Sequence, residues 1–378
     1  MKTTDDLRAA LSYASPSSTP DTIGMIAKGR RIRAARRAVA GFAAVTVAAA
    51  VGLFTALQPG SGPDQPVPPV AGGAPNPVLV AAYSSMATEA PVKFDPLRRT
   101  LNVGWIPAGL GAQYAEITPW EQTFGGHDAA YVNGGPDIGL VVTVLARKRP
   151  VTDFSDGALG LPRFAVAKPT EPVNGAAAEC LTDPKVPGSC PAIRWQYAPD
   201  AWARVSYAGS AGATPAQAAA VARRVAESVT LTKDQTVRMP FTLSGKLAGM
   251  TVTRTSTQIY STAGNHGEAW SATVQLAPAG TVVKPTDDLL QVGLFVDVML
   301  VPGDPSGRIK DRDGQPNTTV NGHPAWRAAD GTAVIVFGAS GTRSAVGYPD
   351  GHGDATAAYA DVALLAHPAD PSAWQPLK

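Results

Sequence analysis

Residues 171–180 read EPVNGAAAEC and residues 318–327 read TTVNGHPAWR, so the triplet Val-Asn-Gly recurs at 173–175 and at 320–322. Asn-Gly tolerates positive φ at both positions and marks a two-residue turn between strands. After each triplet come an apolar strand, a second strand ending in tyrosine, and a helix. Arg194 to Tyr197 answers Val334 to Phe337, and Trp202 to Tyr207 answers Arg343 to Tyr348. The first copy is longer around Cys180 and Cys190, which reads as a loop insertion. These matches divide the chain beyond its linker into two like domains, 79–233 and 234–378.

Strand patterns precede each turn. Leu101, Val103 and Trp105 alternate with polar or small residues, as do the stretches Thr251 to Tyr260 and Ala269 to Leu276; Ile138 to Ala146 and Leu294 to Val301 are aliphatic runs. In the first half Thr214, Pro215 and Gln217 form a capping box ahead of a stripe of Ala218, Val221, Ala222, Val225 and Val229. In the second, Asp354 caps a helix that carries Ala355, Ala358, Tyr359, Val362 and Leu365 on one side. The expected class is α+β: one transmembrane helix followed by two tandem antiparallel-sheet domains, each closed by a helix. Asn174 should match Asn321, and Val225 should match Val362. Such halves resemble, in architecture, the outer domains of some anti-sigma factors and cell-envelope sensor or carrier proteins.

Toward the amino terminus, 58–78 is a Pro/Gly-rich linker that reads QPGSGPDQPVPPVAGGAPNP up to residue 77. Residues 38–57, AVAGFAAVTVAAAVGLFTAL, carry no charge and follow Lys28, Arg30, Arg31, Arg33, Arg36 and Arg37. About 20 apolar residues span the hydrocarbon core, and basic residues stay on the cytoplasmic side. The expected topology is therefore a single-pass cell-membrane protein with 1–37 as cytoplasmic tail and the carboxyl-terminal region extracellular. A cleaved secretory leader is the competing reading, disfavoured by the long basic head and long apolar core. The Asp-Asp-Leu-Arg-Ala-Ala-Leu segment at 5–11 and Gly29-Arg30-Arg31-Ile32-Arg33 before an alanine-rich span resemble the start of many uncharacterised single-pass actinomycete membrane proteins. That layout includes anti-sigma factors, but residues 1–37 lack the His and paired Cys of a zinc-type head.

With 378 residues, 44% hydrophobic and 16% charged, and a net charge of +2, the chain has no bias toward nucleic acid. Cys180 and Cys190 are its two cysteines, and an even pair outside the cell implies a disulfide. His127, His266, His323, His352 and His367 are scattered in Gly- or Pro-rich contexts with no HExxH or CxxC spacing, and His323 and His352, in loops of the same repeat, read as solvated turn residues rather than ligands. Asp311-Arg312-Asp313-Gly314-Gln315-Pro316-Asn317 departs from a calcium loop at its key positions, and Gly338-Ala339-Ser340-Gly341 reads as a hairpin turn rather than a nucleophile elbow. Of the seven tryptophans, Trp105 and Trp195 read as core anchors and Trp120 and Trp374 as exposed. No catalytic, cofactor or metal residue stands out. The expected function is a non-enzymatic, membrane-anchored envelope protein that contacts lipid through its span and binds a small ligand of unknown identity, a wall component or a protein partner outside. A transmembrane regulatory protein of anti-sigma type and an envelope hydrolase are the alternatives.

Overall fold

The computed structural model describes residues 89–108, 110–128, 139–151, 166–182, 186, 189–208, 213–260, 269–284, 292–301, 314–338 and 341–377, all within one compact unit spanning 44–378. The stretch 38–57, the basic run Lys28 to Arg37 and the linker lie outside these residues. Among the described residues no helix is long and apolar enough to cross a membrane.

Strand β1 (Arg98–Val103) precedes a meander of β2 (Leu110–Ile117), β3 (Glu121–Asp128) and β4 (Gly139–Leu145). Next come β5 (Val166–Val173), β6 (Ala176–Thr182), β7 (Ala192–Ala198) and β8 (Ala201–Tyr207), then helix α1 (Pro215–Ser228) and β9 (Val229–Thr236). Short β10 (Arg238–Met239), β11 (Phe241–Leu243) and helix α2 (Gly245–Ala248) open the second half. It follows the same order: β12 (Thr251–Tyr260), β13 (Trp270–Ala277) and β14 (Leu294–Leu300), then β15 (Thr318–Val320), β16 (His323–Arg327), β17 (Ala333–Phe337) and β18 (Thr342–Gly347). Helix α3 (Ala355–Tyr359), β19 (Val362–Leu364) and β20 (Gln375–Pro376) complete it.

Among the described residues, fourteen strands form one antiparallel sheet in the order β15-β16-β17-β18-β14-β13-β12-β2-β3-β4-β8-β7-β6-β5. The expected α+β class with two separate sheets is thereby corrected: the protein is mostly β, and a single sheet passes through both halves. The seam is the pairing of β12 with β2, from Thr255 opposite Ile117 to Tyr260 opposite Ala112. Each of these strands would otherwise be a sheet edge with an unpaired row of backbone groups, and pairing them removes both edges. Outside the sheet, β1 pairs with β9, β11 with β19 and β10 with β20.

The Val-Asn-Gly turns connect β5 to β6 and β15 to β16. Asn174 (φ 49°) with Gly175 (φ 82°) and Asn321 (φ 50°) with Gly322 (φ 80°) give the two consecutive positive angles that such a hairpin requires. Helix α1 starts as its capping box dictates: Gln217 N–H donates to Thr214 Oγ1 at 3.2 Å and Thr214 N–H to Gln217 Oε1 at 2.8 Å. Its buried stripe is Ala218, Ala222, Val225 and Ala226. The second helix is shorter than its apolar period implies. It ends at Tyr359, and Val362 begins β19, where three residue pairs with β11 satisfy backbone groups that a further helical turn would have used. Val362 is therefore not the counterpart of Val225.

Directly opposed residues of an antiparallel pair share a face, so the register sorts the side chains. One face carries two filled cores. Under α1 lie Val142, Ile193, Trp195 and Val205; near α3, β11 and β19 lie Phe241, Trp270, Val274 and Val296. Each fully buried large side chain contributes about 1.5–3 kcal/mol. At one end of the sheet, β5 is protected by Pro169 and Pro172, which lack N–H groups, and by Arg223 of α1, which donates to the Pro172 and Glu171 carbonyls at 3.1 and 2.9 Å.

The tryptophans expected at the surface are otherwise placed. Trp374 is 4% exposed, packs edge-on against Trp270 with centroids 5.1 Å apart, and donates its indole N–H to the Pro368 carbonyl at 2.9 Å. The turn at Pro371–Ala373 and the β10–β20 pair fold the carboxyl-terminal segment back onto the core. Trp120 is half-buried beneath Lys93, whose Nζ stands 4.8 Å from the ring centroid. Trp195 is fully buried, and half-buried Trp105 is covered by the Arg224 guanidinium at 4.2 Å.

Cys180 and Cys190 are joined in a disulfide with Cα atoms 5.5 Å apart. Cys180 lies inside β6, buried opposite Ile193, and Cys190 immediately precedes β7, so the bridge closes the base of the loop that joins these two strands. Closing so short a loop is worth about 2–4 kcal/mol in the unfolded chain, and replacing Cys180 with serine adds a buried hydroxyl. The Cys180→Ser, Cys190→Ser double variant should melt about 4–10 °C lower. An unchanged calorimetric midpoint would contradict this placement.

Candidate functional site

The other face of the sheet is polar, yet much of it is hidden. One transverse row, followed strand to strand, runs from Ser206 on β8 through Val141, Gly125 and Tyr114 to Gln258 on β12, then Ser271, Met299 and Arg343 on β18. The neighbouring row runs from Glu179 through Arg194, Arg204, Thr143, Thr123 and Glu116 to Ser256, Thr273 and Asp297. An antiparallel sheet with one face on its core ordinarily turns such residues to water. Here Gln258, Ser271 and Asp297 are all 0% exposed.

The charges on this face are paired. Arg254 Nη2 donates to Glu116 Oε2 at 2.6 Å across the seam, and Arg194 Nε to Glu179 Oε2 at 2.6 Å. Arg343 Nη1 lies 3.5 Å from Asp297 Oδ2 with both side chains fully buried, and Thr273 Oγ1 donates to Asp297 Oδ1 at 2.7 Å. Burial alone would lower the Arg254 pKa, but attraction and a hydrogen bond from Glu116, with the charges of Glu121 and Asp297, hold it above its ordinary value.

The neutral groups at the centre of the face differ. Among the described residues, both amide atoms of Gln258 and the hydroxyl of Ser271, its directly opposed neighbour, have no hydrogen-bond partner; nor does the hydroxyl of Ser206 in the same row. Leaving a buried polar group unsatisfied costs about 1–3 kcal/mol. Gln122 shows how this fold treats a structural glutamine. Its carbonyl accepts from the Thr100 and Leu101 N–H groups at 2.9 Å each, and its amide donates to the Arg98 carbonyl at 3.0 Å. Beside Gln258 across the seam, the Tyr114 ring lies over Gly125, where any Cβ would collide with it, and stacks against His127 with centroids 5.9 Å apart. The arrangement can recognise hydrogen-bonding ligand groups in both senses, donor and acceptor, next to an aromatic surface.

Of the residues singled out in the sequence, Cys180 and Cys190 meet in the bridge, on the core side of the sheet. His127 is 6% exposed inside β3, which is paired with β2 on one side and β4 on the other. His323, His352 and His367 are exposed, and His266 lies outside the described residues. So do residues 311–313 of the acidic segment; its Asn317 clamps Arg327, accepting from that residue's N–H and donating to its carbonyl at 2.9 Å each. Gly338 bonds back to Thr342 in the β17–β18 hairpin. Among the described residues no cluster of His, Cys, Asp and Glu could hold a metal ion. The strand alternation of 251–260 marks Gln258 as facing away from the core; nothing local marks it as buried. Compared with known proteins, the chain matches no family model, no curated sequence and no solved structure.

Proposed function

We propose that this is a non-enzymatic envelope protein, held at the membrane through the apolar stretch 38–57, that binds a ligand against the polar face of its outer sheet. One observation carries the reading: Gln258 and Ser271, side by side and fully buried, keep three polar atoms without partners among the described residues, on a face where Glu179, Glu116 and Asp297 are each matched by an arginine. A ligand that supplied those partners would recover the desolvation cost on binding. The basic run before residue 38 supports the membrane orientation, with the sheet outside. Native mass spectrometry of the full chain, extracted from its own envelope in mild detergent, tests the proposal. A stoichiometric non-protein mass that is released on unfolding is expected. The bare polypeptide mass, unchanged after incubation with solubilised envelope extract, would overturn it.

A further inference from the structure

We infer that the ligand is an uncharged saccharide whose hydroxyl and amide groups are received by Gln258 and Ser271, an inference that rests on the ligand-binding reading above. The unpartnered atoms of Gln258 and Ser271 are neutral, whereas Arg254 and Asp297 on the same face are each held in an ion pair. Gln258 offers two N–H donors and a carbonyl acceptor, and Ser271 a hydroxyl that acts in either sense. Being directly opposed on adjacent strands, the two side chains start from Cβ atoms about 4.5–5.5 Å apart, a separation that neighbouring hydroxyls on one ring can bridge.

Charge argues in the same direction. Within the seam region the carboxylates are engaged, Glu116 by Arg254 and Asp297 by Arg343, so an ionic ligand would bury a charge without a free counter-charge. Arg204, the other buried cation of this face, stands on β8, four strands from β12, or about 19 Å. Tyr114, opposite Gln258 on the seam, adds the aromatic surface on which the apolar face of a sugar ring rests. The strip also reaches solvent: one row along from Gln258, Glu116 keeps 26% of its side chain exposed, and Thr123 and Thr273 are half-buried.

The test titrates the full-length protein in detergent with three disaccharides of similar size: neutral N,N′-diacetylchitobiose, cationic chitobiose and an anionic glucuronate-containing disaccharide. Calorimetry should give the neutral probe the highest affinity. Gln258→Leu and Ser271→Ala should each weaken it at least tenfold, while the free Gln258→Leu protein melts no lower than the parent, because an unsatisfied amide has been removed. Gln258→Met serves as a second variant should leucine not be accommodated. A charged probe that binds as tightly as the neutral one, or neutral binding untouched by both substitutions, would overturn the inference and leave the ligand-binding reading in place. Failure of all three probes overturns the saccharide assignment, and the native mass then decides the broader reading separately.

Discussion

Cut between β9 and β10, the fragments 79–236 and 237–378 are expected to fail as soluble monomers and to recover a stable fold only together. Each fragment would lose the β2–β12 ladder, six residue pairs long, and expose a strand whose neighbours are buried. The seam also loses the Arg254–Glu116 ion pair at 2.6 Å and the bond from Thr255 Oγ1 to the Pro96 carbonyl at 2.5 Å. Exposed long edges pair with whatever strand is available, so single fragments should aggregate or self-associate, and co-expressed fragments should purify as a one-to-one complex. Two fragments that are each monomeric and unfold cooperatively on their own would show that the seam contributes little.

Arg343→Met should destabilise the protein by about 3–5 kcal/mol, because it leaves Asp297 charged in a site from which water is excluded. Thr273 donates one hydrogen bond to that carboxylate, which does not neutralise it. Adding Asp297→Leu to Arg343→Met should restore most of the loss, since replacing a whole buried ion pair with apolar side chains costs less than breaking it. Denaturant melts of the parent, both single variants and the double variant close the cycle. A single Arg343→Met effect below about 1 kcal/mol would mean that the pair is solvated in solution.

Local chemistry explains which features are legible in the sequence. The Asn174-Gly175 and Asn321-Gly322 turns follow from the positive φ that only a few residue types accept, and α1 from a capping box complete within four residues. Strands β4, β12, β13 and β14 follow from aliphatic runs and strict alternation. Where structure and expectation part, the cause is a partner distant in sequence. The apolar period through Val362 reads as continuing helix, although β11, over one hundred residues earlier, makes it a strand. The bend that buries Trp374 against Trp270 has no local mark. Strand β5, with Pro169 and Pro172, violates strand propensity and is held by its β6 pairing and by Arg223. The hidden face is the clearest case: alternation in β12 separates Gln258 from the core side, and a half-solvated sheet would have put it in water.

The decisive measurement is a high-resolution crystal structure of the protein isolated without denaturation, inspected beside Gln258. Ordered non-protein density within hydrogen-bonding distance of Gln258 Nε2, Gln258 Oε1 and Ser271 Oγ, with the outline of a sugar ring near Tyr114, is the predicted result. Protein groups or an isolated water meeting all three atoms would contradict it.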